Sequence, residues 1–404
     1  MKYSHLAFTG FMGKRAHLGV SGSVAAFKAL ELLRDILRSG AGVSATLTQA
    51  ACRFITPLSF ESLGADPVYH DLFSPGQDVF AHLGPGHAAD CMIIAPATAN
   101  CLAKLAHGLA DDMLSCQALA YPGPLLVAPA MNPMLWNASA TKDNWEKLKA
   151  RGVICLEPSP GEMACGDEGK GRLADIALIV VEILKTMSPK DLFGKRILLS
   201  LGPTREYFDA ARFWSNPSTG LMGACLAMAA WMRGAEVTVV KGPVSLWFPP
   251  SIRVIDVVSA DQMYEACVEQ WKNADIGCMT AAVADFSPIP HGIDKKYKKQ
   301  SSESFSVSFT RTHDILLHLG QTKSFDQRLI GFCAETHDLL EFAKDKLKRK
   351  QCDLMVANRI GVDDSGFAAV TNDVLALDSS GRMESWPVLP KTEIAWRIWD
   401  WMVL

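Results

Sequence analysis

Short apolar runs that stop in segments of Gly, Asn, Thr and Asp recur along this 404-residue chain. They are Leu18–Ser23, Cys91–Asn100, Leu125–Asn132, Ile197–Glu206, Ile276–Asp285, Leu329–Thr336 and Leu354–Asn358. An apolar run of about 4–8 residues fits a strand buried on both faces. Such strands belong to open α/β sheets, where ligands bind just beyond the strand carboxyl ends. Helical patterns alternate with the runs, as at Val24–Arg38 before Gly40 and Leu221–Arg233 before Gly234. Ser259 with Gln262 three residues on reads as a capping box. The expected architecture is α/β, two doubly wound Rossmann-like domains.

Thr186–Lys195 carries Pro and Gly between a helical pattern and a fresh apolar run, and is the expected boundary. It leaves halves of roughly 190–210 residues, each able to close its own core. Met1–Arg15 reads as a ragged extension. The apolar stretch Ile176–Leu184 contains Glu182 and is too short to span a bilayer. A net charge of −3 gives no case for nucleic acid or an acidic membrane surface. The 11 cysteines form no Cys-x-x-Cys pair and lie mostly in apolar runs, the usage of a reducing cytoplasm.

The strand ends carry the candidate chemistry. In the first half, Gly22 and Ser23 lie in a Gly/Ser turn that opens a helix, where N–H groups and hydroxyls suit a phosphate. An ordinary βα turn would look the same, and the spacing is not that of a dinucleotide fingerprint. Thr98 and Asn100 end a second run. Asn132 precedes a proline suited to a first helical turn, as a cap or as a substrate-binding amide. His82 stands alone among small residues. Cys165 lies in a charged, Gly-rich stretch, 163–173, expected to be an exposed, flexible segment rather than a buried strand, where a thiol could be reactive.

As a set, these motifs resemble the flavin-dependent cysteine decarboxylases over about residues 17–185. The carriers are Gly19-x-Ser21-Gly22-x-x-Ala25-x-x-Lys28, His82, Ala95-Pro-Ala-Thr-Ala-Asn100, Pro129-Ala-Met-Asn132 and Ala164-Cys-Gly-x-x-Gly-x-Gly-Arg172. The resemblance implies FMN with its phosphate near Gly22 and Ser23. It also implies His82 as base, Asn132 on the substrate carboxylate and Cys165 as late proton donor. The flavin would oxidise the substrate thiol to a thioaldehyde, a sink for the electrons left when carbon dioxide departs. One departure stands out: His82 is followed by Leu83-Gly84-Pro85-Gly86, residues expected to disfavour the helix that usually follows.

In the second half, Asn216, Ala282, Asp285, Phe332 and Lys350 lie at or near run ends, and Lys295–Lys299 reads as a basic, mobile loop. Asp285 could bind magnesium or a sugar hydroxyl. Gly202-Pro-Thr-Arg-Glu206, Ser215-Asn-x-Ser-x-Gly-x-Met-Gly223, Ala281-Ala-Val-Ala-Asp285, Lys296-x-Lys-Lys299, Gly331-Phe-x-Ala-Glu-Thr336 and Val356-Ala-Asn358 resemble the phosphopantothenate–cysteine ligase domain. Together the halves are similar to the bacterial bifunctional family of coenzyme A synthesis. The resemblance implies domains 16–187 (decarboxylase) and 191–404 (ligase), with CTP and Mg2+ activating 4′-phosphopantothenate as an acyl-cytidylate that cysteine attacks. It puts Asn216 on the acyl intermediate, Lys296 on the developing charge, Asp285 by the cytidine and cation, and Ala282, Phe332 and Lys350 at the nucleotide. It further implies a cytoplasmic homo-oligomer, a dodecamer of decarboxylase trimers and ligase dimers, with His82 serving a neighbouring subunit. Leu221 stands where the family commonly has Lys. Two other readings remain at this point: a working ligase fused to a silent FMN-binding half, and a nicotinamide dehydrogenase, against which the absent Gly-x-Gly-x-x-Gly speaks.

Overall fold

The computed structural model describes residues 3–73, 79–163, 166–289, 306–335, 337–359 and 369–403. They form two compact units, one of Ala7–Ser188 and one of Tyr3–Leu6 with Pro189–Leu404.

The first unit runs β1 (Arg15–Val20), α1 (Lys28–Arg38), β2 (Gly42–Leu47), α2 (Pro57–Ser62), β3 (Val68–Tyr69), α3 (Gly84–Ala88), β4 (Cys91–Ala97), α4 (Ala99–His107), α5 (Met113–Ala120), β5 (Leu125–Pro129), α6 (Pro133–Asn137), α7 (Ser139–Ala150) and β6 (Ile154–Cys155). A hairpin, β7 (Ser159–Glu162) and β8 (Glu168–Arg172), and α8 (Ile176–Met187) complete it. The main sheet is parallel with order β3-β2-β1-β4-β5-β6. Strand order reverses between β1 and β4, and a crevice opens there. β4 is buried along its whole length, as an apolar run covered on both faces must be.

The second unit runs β9 (Arg196–Leu201), β10 (Arg205–Tyr207), β11 (Phe213–Ser215), α9 (Leu221–Met232), β12 (Glu236–Lys241), β13 (Arg253–Asp256), α10 (Ala260–Trp271), β14 (Ile276–Met279), β15 (Phe286–Pro288) and β16 (Phe309–Arg311). It continues with α11 (Ile315–Thr322), β17 (Arg328–Glu335), α12 (Leu339–Arg349), β18 (Leu354–Arg359), β19 (Thr371–Asp378), β20 (Met383–Pro390) and α13 (Lys391–Val403). Its sheet has order β13-β12-β9-β14-β17-β18-β19-β20, parallel up to β18 and antiparallel at β19 and β20. Order reverses between β9 and β14. α9 is apolar on every side and almost wholly buried, so it is a core helix rather than an amphipathic one. The Ser259–Gln262 capping box forms as its spacing predicts. Among the described residues no helix is long and apolar enough to cross a membrane.

Three sequence expectations need correction. The N-terminal stretch is not ragged over its described part: Ser4–Leu6 forms a 3-10 turn with His5 and Leu6 buried. The Tyr3 ring stacks on Trp247 at 5.7 Å, and His5 Nε2 lies 2.7 Å from the Trp247 carbonyl that accepts its hydrogen bond. Apolar side chains, too few to announce an element by periodicity, pin it. Secondly, Gly84-Pro85-Gly86 does not prevent a helix after His82, since α3 starts at Gly84. A proline in the first helical turn surrenders no hydrogen bond that the helix could make. Thirdly, stretch 163–173 includes a strand, β8, paired with β7, although most of its residues are exposed as expected.

A buried polar relay crosses the first unit. His17 Nδ1 lies 2.8 Å from Ser44 Oγ, and its Nε2 lies 3.0 Å from Thr46 Oγ1. Thr46 donates its proton to Gln117 Oε1, so it accepts from His17 Nε2–H, which fixes the Nε2 tautomer. Gln117 in turn donates to the Ala81 carbonyl at 3.0 Å, holding the turn that carries His82. Burial drives the His17 pKa down to about 3. The unfolded chain therefore takes up a proton below about pH 6.5 that the folded one refuses. This contribution to stability is full above that pH and falls as pH drops from about 6.5 towards 3. We expect the urea midpoint to be lower at pH 5 than at pH 7.5, and His17→Gln to flatten that slope.

Candidate functional site

In the first unit, residues leaving β1 and β4 meet at the crevice. Ser21 Oγ donates to the Pro96 carbonyl at 2.8 Å and accepts from Thr98 N–H at 2.9 Å. Gly22 turns against Ala50, where a β-carbon would overlap that residue's own. Thr98 caps α4 by accepting from Cys101 N–H. The cavity of about 610 Å3 bounded here is lined by Gly22, Thr98 and Asn100, with Ser21, Thr48 and Ser115. Lys104, also on its wall, is held between Asp111 and Asp112 at 2.6 Å each. Ser23 is not on that wall; it caps the following turn and donates to the Ala130 carbonyl at 3.2 Å.

Asn132 lies elsewhere. Its Oδ1 accepts from Met134 N–H at 2.8 Å, capping α6 ahead of Pro133, and its Nδ2 donates to Asp167 Oδ2 at 2.6 Å. The cap expected at Asn132 forms, and its amide nitrogen is engaged by Asp167. β8 presses on the same loop: Met131 N–H donates to the Gly171 carbonyl, and a β-carbon on Gly171 would strike the Met131 carbonyl. Asn132 thus lies against the segment bearing Cys165, although Cys165 itself is outside the described residues. His82 is partly exposed in the turn before α3 and does not line the crevice.

In the second unit the corresponding crevice is larger, about 920 Å3. Asn216, Ala282, Asp285, Phe332 and Lys350 all line it; Lys296 lies outside the described residues. Asn216 follows β11, whose hairpin with β10 is tied down by Ser215 Oγ donating to the Thr204 carbonyl at 2.6 Å. Its Nδ2 donates to the carbonyls of Ala282 (3.1 Å) and Val283 (3.2 Å). Both amide protons are consumed, so the side chain is fixed and its oxygen is the atom left for a ligand. The Ala282 backbone is itself held by donation to the Gly202 carbonyl, and Ala284 N–H donates to Thr204 Oγ1.

The start of α9 supplies another wall through Gly220, Leu221, Met222 and Gly223. Gly220, in the left-handed region at φ +72°, lies against Gly202 and Leu201. A β-carbon on Gly223 would overlap Thr280 Oγ1 and Leu201. No side chain caps this helix: Ser218 accepts from Gly220 N–H. Lys350 is ion-paired with Asp314, and Lys346 with Glu335 at 2.6 Å. With Arg311, Arg349 and Lys391 the wall carries more cations than carboxylates, a field suited to phosphates. Reading the sequence missed Lys346, Asn372 and Lys391. Lys346 was findable, because it stands on α12 one turn before Lys350, the residue that follows the helix. Among the described residues no group of three or more His, Cys, Asp or Glu could hold a metal ion.

Two doubly wound units, each with a polar crevice where strand order reverses, define a protein that handles two ligand sets. Residues 11–188 match the family model described as "Flavoprotein", and residues 192–404 match "DNA/pantothenate metabolism flavoprotein C-terminal domain". The chain is 41% identical over 386 residues to a coenzyme A biosynthesis bifunctional protein of Bacillus subtilis (strain 168), covering 94% of each. It is 41% identical over 367 residues to that of Escherichia coli (strain K12), covering 89% of each. A crystal structure of the C-terminal domain of such a bifunctional protein matches 53% of this chain and 96% of its own, at 36% identity and TM-score 0.45. A PPC decarboxylase mutant complexed with pantothenoylaminoethenethiol matches 42% of this chain and 96% of its own, at 33% identity and TM-score 0.37. The chain belongs to the family of bifunctional coenzyme A biosynthesis proteins. It is an enzyme with two activities, phosphopantothenoylcysteine synthetase and flavoprotein decarboxylase.

Proposed function

We propose that the second unit joins 4′-phosphopantothenate to cysteine using CTP and Mg2+, and that the first decarboxylates the product to 4′-phosphopantetheine with FMN. The observation that carries this reading is the convergence of Asn216, Ala282, Asp285, Phe332 and Lys350 on one cation-rich cavity. In the ligase step the substrate carboxylate attacks the α-phosphate of CTP, pyrophosphate leaves, and the cysteine amine displaces CMP from the acyl-cytidylate. Asn216, immobilised by two carbonyls, orients the acyl group. Lys350 and Lys296 offset charge on the nucleotide, and the Ala282 backbone and Phe332 flank it. Mg2+ usually takes one or two protein carboxylates together with phosphates, and Asp285 fits that role. Asp314 fits it less, being engaged by Lys350 and by Leu317 N–H.

The first-unit crevice fits FMN by its donor set: the neutral hydroxyls and amides of Thr48, Thr98 and Asn100, with Gly22 at the turn and a size within the usual range for ligand pockets. FMN when bound supplies the two-electron oxidation of the substrate thiol that makes carbon dioxide loss possible. Gly22, Thr98 and Asn100 hold the cofactor, and Ser23, off the crevice wall, holds the turn that follows Gly22. Asn132 binds the substrate carboxylate. Cys165 delivers a proton at the end, and His82 acts as base, from a neighbouring subunit in a homo-oligomer, a dodecamer, of the cytoplasm.

The test is one coupled assay: purified protein with 4′-phosphopantothenate, cysteine, CTP and Mg2+, following pyrophosphate and carbon dioxide together with the flavin spectrum. Equal yields of both products are expected. Pyrophosphate without carbon dioxide would establish instead a ligase beside a silent flavoprotein half.

A further inference from the structure

We propose that Gln117, on α5, is a positioning residue for His82: it sets the turn that carries the histidine, and Thr46 and His17 in turn set Gln117. This deepens the decarboxylase reading and rests on the role of His82 as its base.

The relay starts in the sheet. Ser44 and Thr46 lie two apart on β2 and share a face, and His17 on β1 stands opposite Ser44 in the register. The imidazole reaches both hydroxyls, with Nδ1 2.8 Å from Ser44 Oγ and Nε2 3.0 Å from Thr46 Oγ1. Thr46 Oγ1 is 2.5 Å from Gln117 Oε1, and Gln117 Nε2 donates to the Ala81 carbonyl at 3.0 Å. None of the four residues is more than 5% exposed. The Ala81 carbonyl can only accept, and this decides every proton in the relay. Gln117 presents Nε2–H to Ala81, so its Oε1 takes the Thr46 proton, Thr46 accepts from His17 Nε2–H, and Nδ1 accepts from Ser44. A neutral imidazole has the one donor and one acceptor this needs, and burial keeps His17 neutral. The opposite order would turn Gln117 Oε1 towards the Ala81 carbonyl, acceptor against acceptor, and release the turn.

The turn's own backbone bonds are local. Leu83 N–H donates to the Phe80 carbonyl at 2.8 Å, Gly84 N–H to Ala81 at 3.3 Å and Gly86 N–H to Leu83 at 3.0 Å. Such bonds shape a turn without placing it in the fold. Gln117 places its start, and Tyr121, which follows α5, holds the far end of α3 by donating to the Ala89 carbonyl at 3.1 Å. Tyr69 bounds it from β3, since a β-carbon on Gly84 would lie 2.7 Å from the Tyr69 hydroxyl. Ala81 is buried, whereas His82 beside it is partly exposed. The anchored residue thus faces in and the working residue lies next to it in the chain. A base acts only within hydrogen-bond reach of the proton it takes. A misplacement of about 1 Å costs about 100-fold in rate, so an anchor one residue away bears directly on turnover.

The experiment follows carbon dioxide release from the ligase product by the full, flavin-loaded chain, with ligase turnover and hydrogen exchange of the 83–86 amides measured alongside. Gln117→Leu has a similar volume but can neither accept from Thr46 nor donate to Ala81. It is expected to lower decarboxylase kcat by about 30–100-fold with KM within about twofold, flavin content and ligase turnover being unchanged. Exchange of the 83–86 amides is expected to rise at least about tenfold. Added to His82→Asn, the same change is expected to cost less than about twofold further, because Gln117 acts only through His82. An unchanged kcat or unchanged exchange in Gln117→Leu, or a second full loss in the double variant, overturns the proposal. If Gln117→Leu does not fold, Thr46→Val, which takes the donor from Gln117 Oε1, is expected to lower kcat by about 5–20-fold, and an unchanged kcat there overturns it equally. Decarboxylation undiminished by His82→Asn would overturn the reading of His82 as base and this proposal with it, so the two failures are distinguishable.

Discussion

Asn216→Asp is expected to lower ligase kcat by about 100–1,000-fold while leaving the fold intact. The native amide spends both protons on the Ala282 and Val283 carbonyls. A carboxylate has none to give and would set its charge against two acceptors, so it would rotate away and lose the aim of the oxygen that meets the acyl group. Asn216→Ala would leave the two carbonyls without their donor, at about 1–3 kcal/mol if they stay dry. The discriminating result is the pattern of products. Pyrophosphate should still appear in a first turnover, with the cysteine-dependent step carrying the loss. Equal loss in both half-reactions would assign Asn216 to nucleotide binding instead.

Arg233→Met is expected to destabilise the second unit by about 3–5 kcal/mol, a large share of the stability of a domain this size. Arg233 ends α9, is 1% exposed, and grips Asp191 through Nε and Nη2 at 2.9 and 2.6 Å. Its Nη1 donates to Asp400 at 2.7 Å and to the Trp396 carbonyl at 3.2 Å. One guanidinium thus joins the stretch ahead of β9, the end of α9 and the middle of α13. The methionine would fill much of the volume but leave Asp191 without its partner. Because both carboxylates keep some exposure, the loss should fall toward the lower figure. Thermal denaturation would show it as an earlier transition of this unit, with the first unit's transition unmoved. The guanidinium also holds the Asp191 carboxyl below the ordinary carboxylate range. Its contribution is therefore complete above about pH 4 and is lost as pH falls through the lowered pKa, a loss Arg233→Met should remove.

Much of the fold was legible because its strands are buried on both faces. The runs at Cys91, Leu125, Ile276 and Leu354 became strands, and the polar residues closing three of them (Thr98 and Asn100, Asp285, Asn358) became crevice walls, whereas Asn132 lies off the crevice. What escaped was structure that owes little to periodicity. β8 is Glu168-Gly-Lys-Gly-Arg172, with no apolar face; its course is dictated by β7 and by the close approach of its glycines to Met131 and Pro133. α3 escaped because average propensities penalise Gly and Pro, whereas at a first turn proline is harmless. Asn372 and Lys391 escaped for a different reason. Each is a lone polar residue in an element that carries no motif, and only the hairpin register reveals that they share a wall. The pairing of Asn132 with the Cys165 segment likewise depends on a hydrogen bond across 35 residues.

The order of strands in the second unit has a bearing on its birth. β9 and β14, which flank the crevice, and α9 above it all precede residue 280, whereas the opposite wall comes from β19 and the start of α13. A nascent chain on the ribosome can pair its parallel strands as they appear, yet its ligase crevice stays open on one side until Lys391 has cleared the exit tunnel. Ligand would then first stabilise the unit only at that moment, so a ligand added during synthesis should protect late translation intermediates from protease and leave earlier ones untouched.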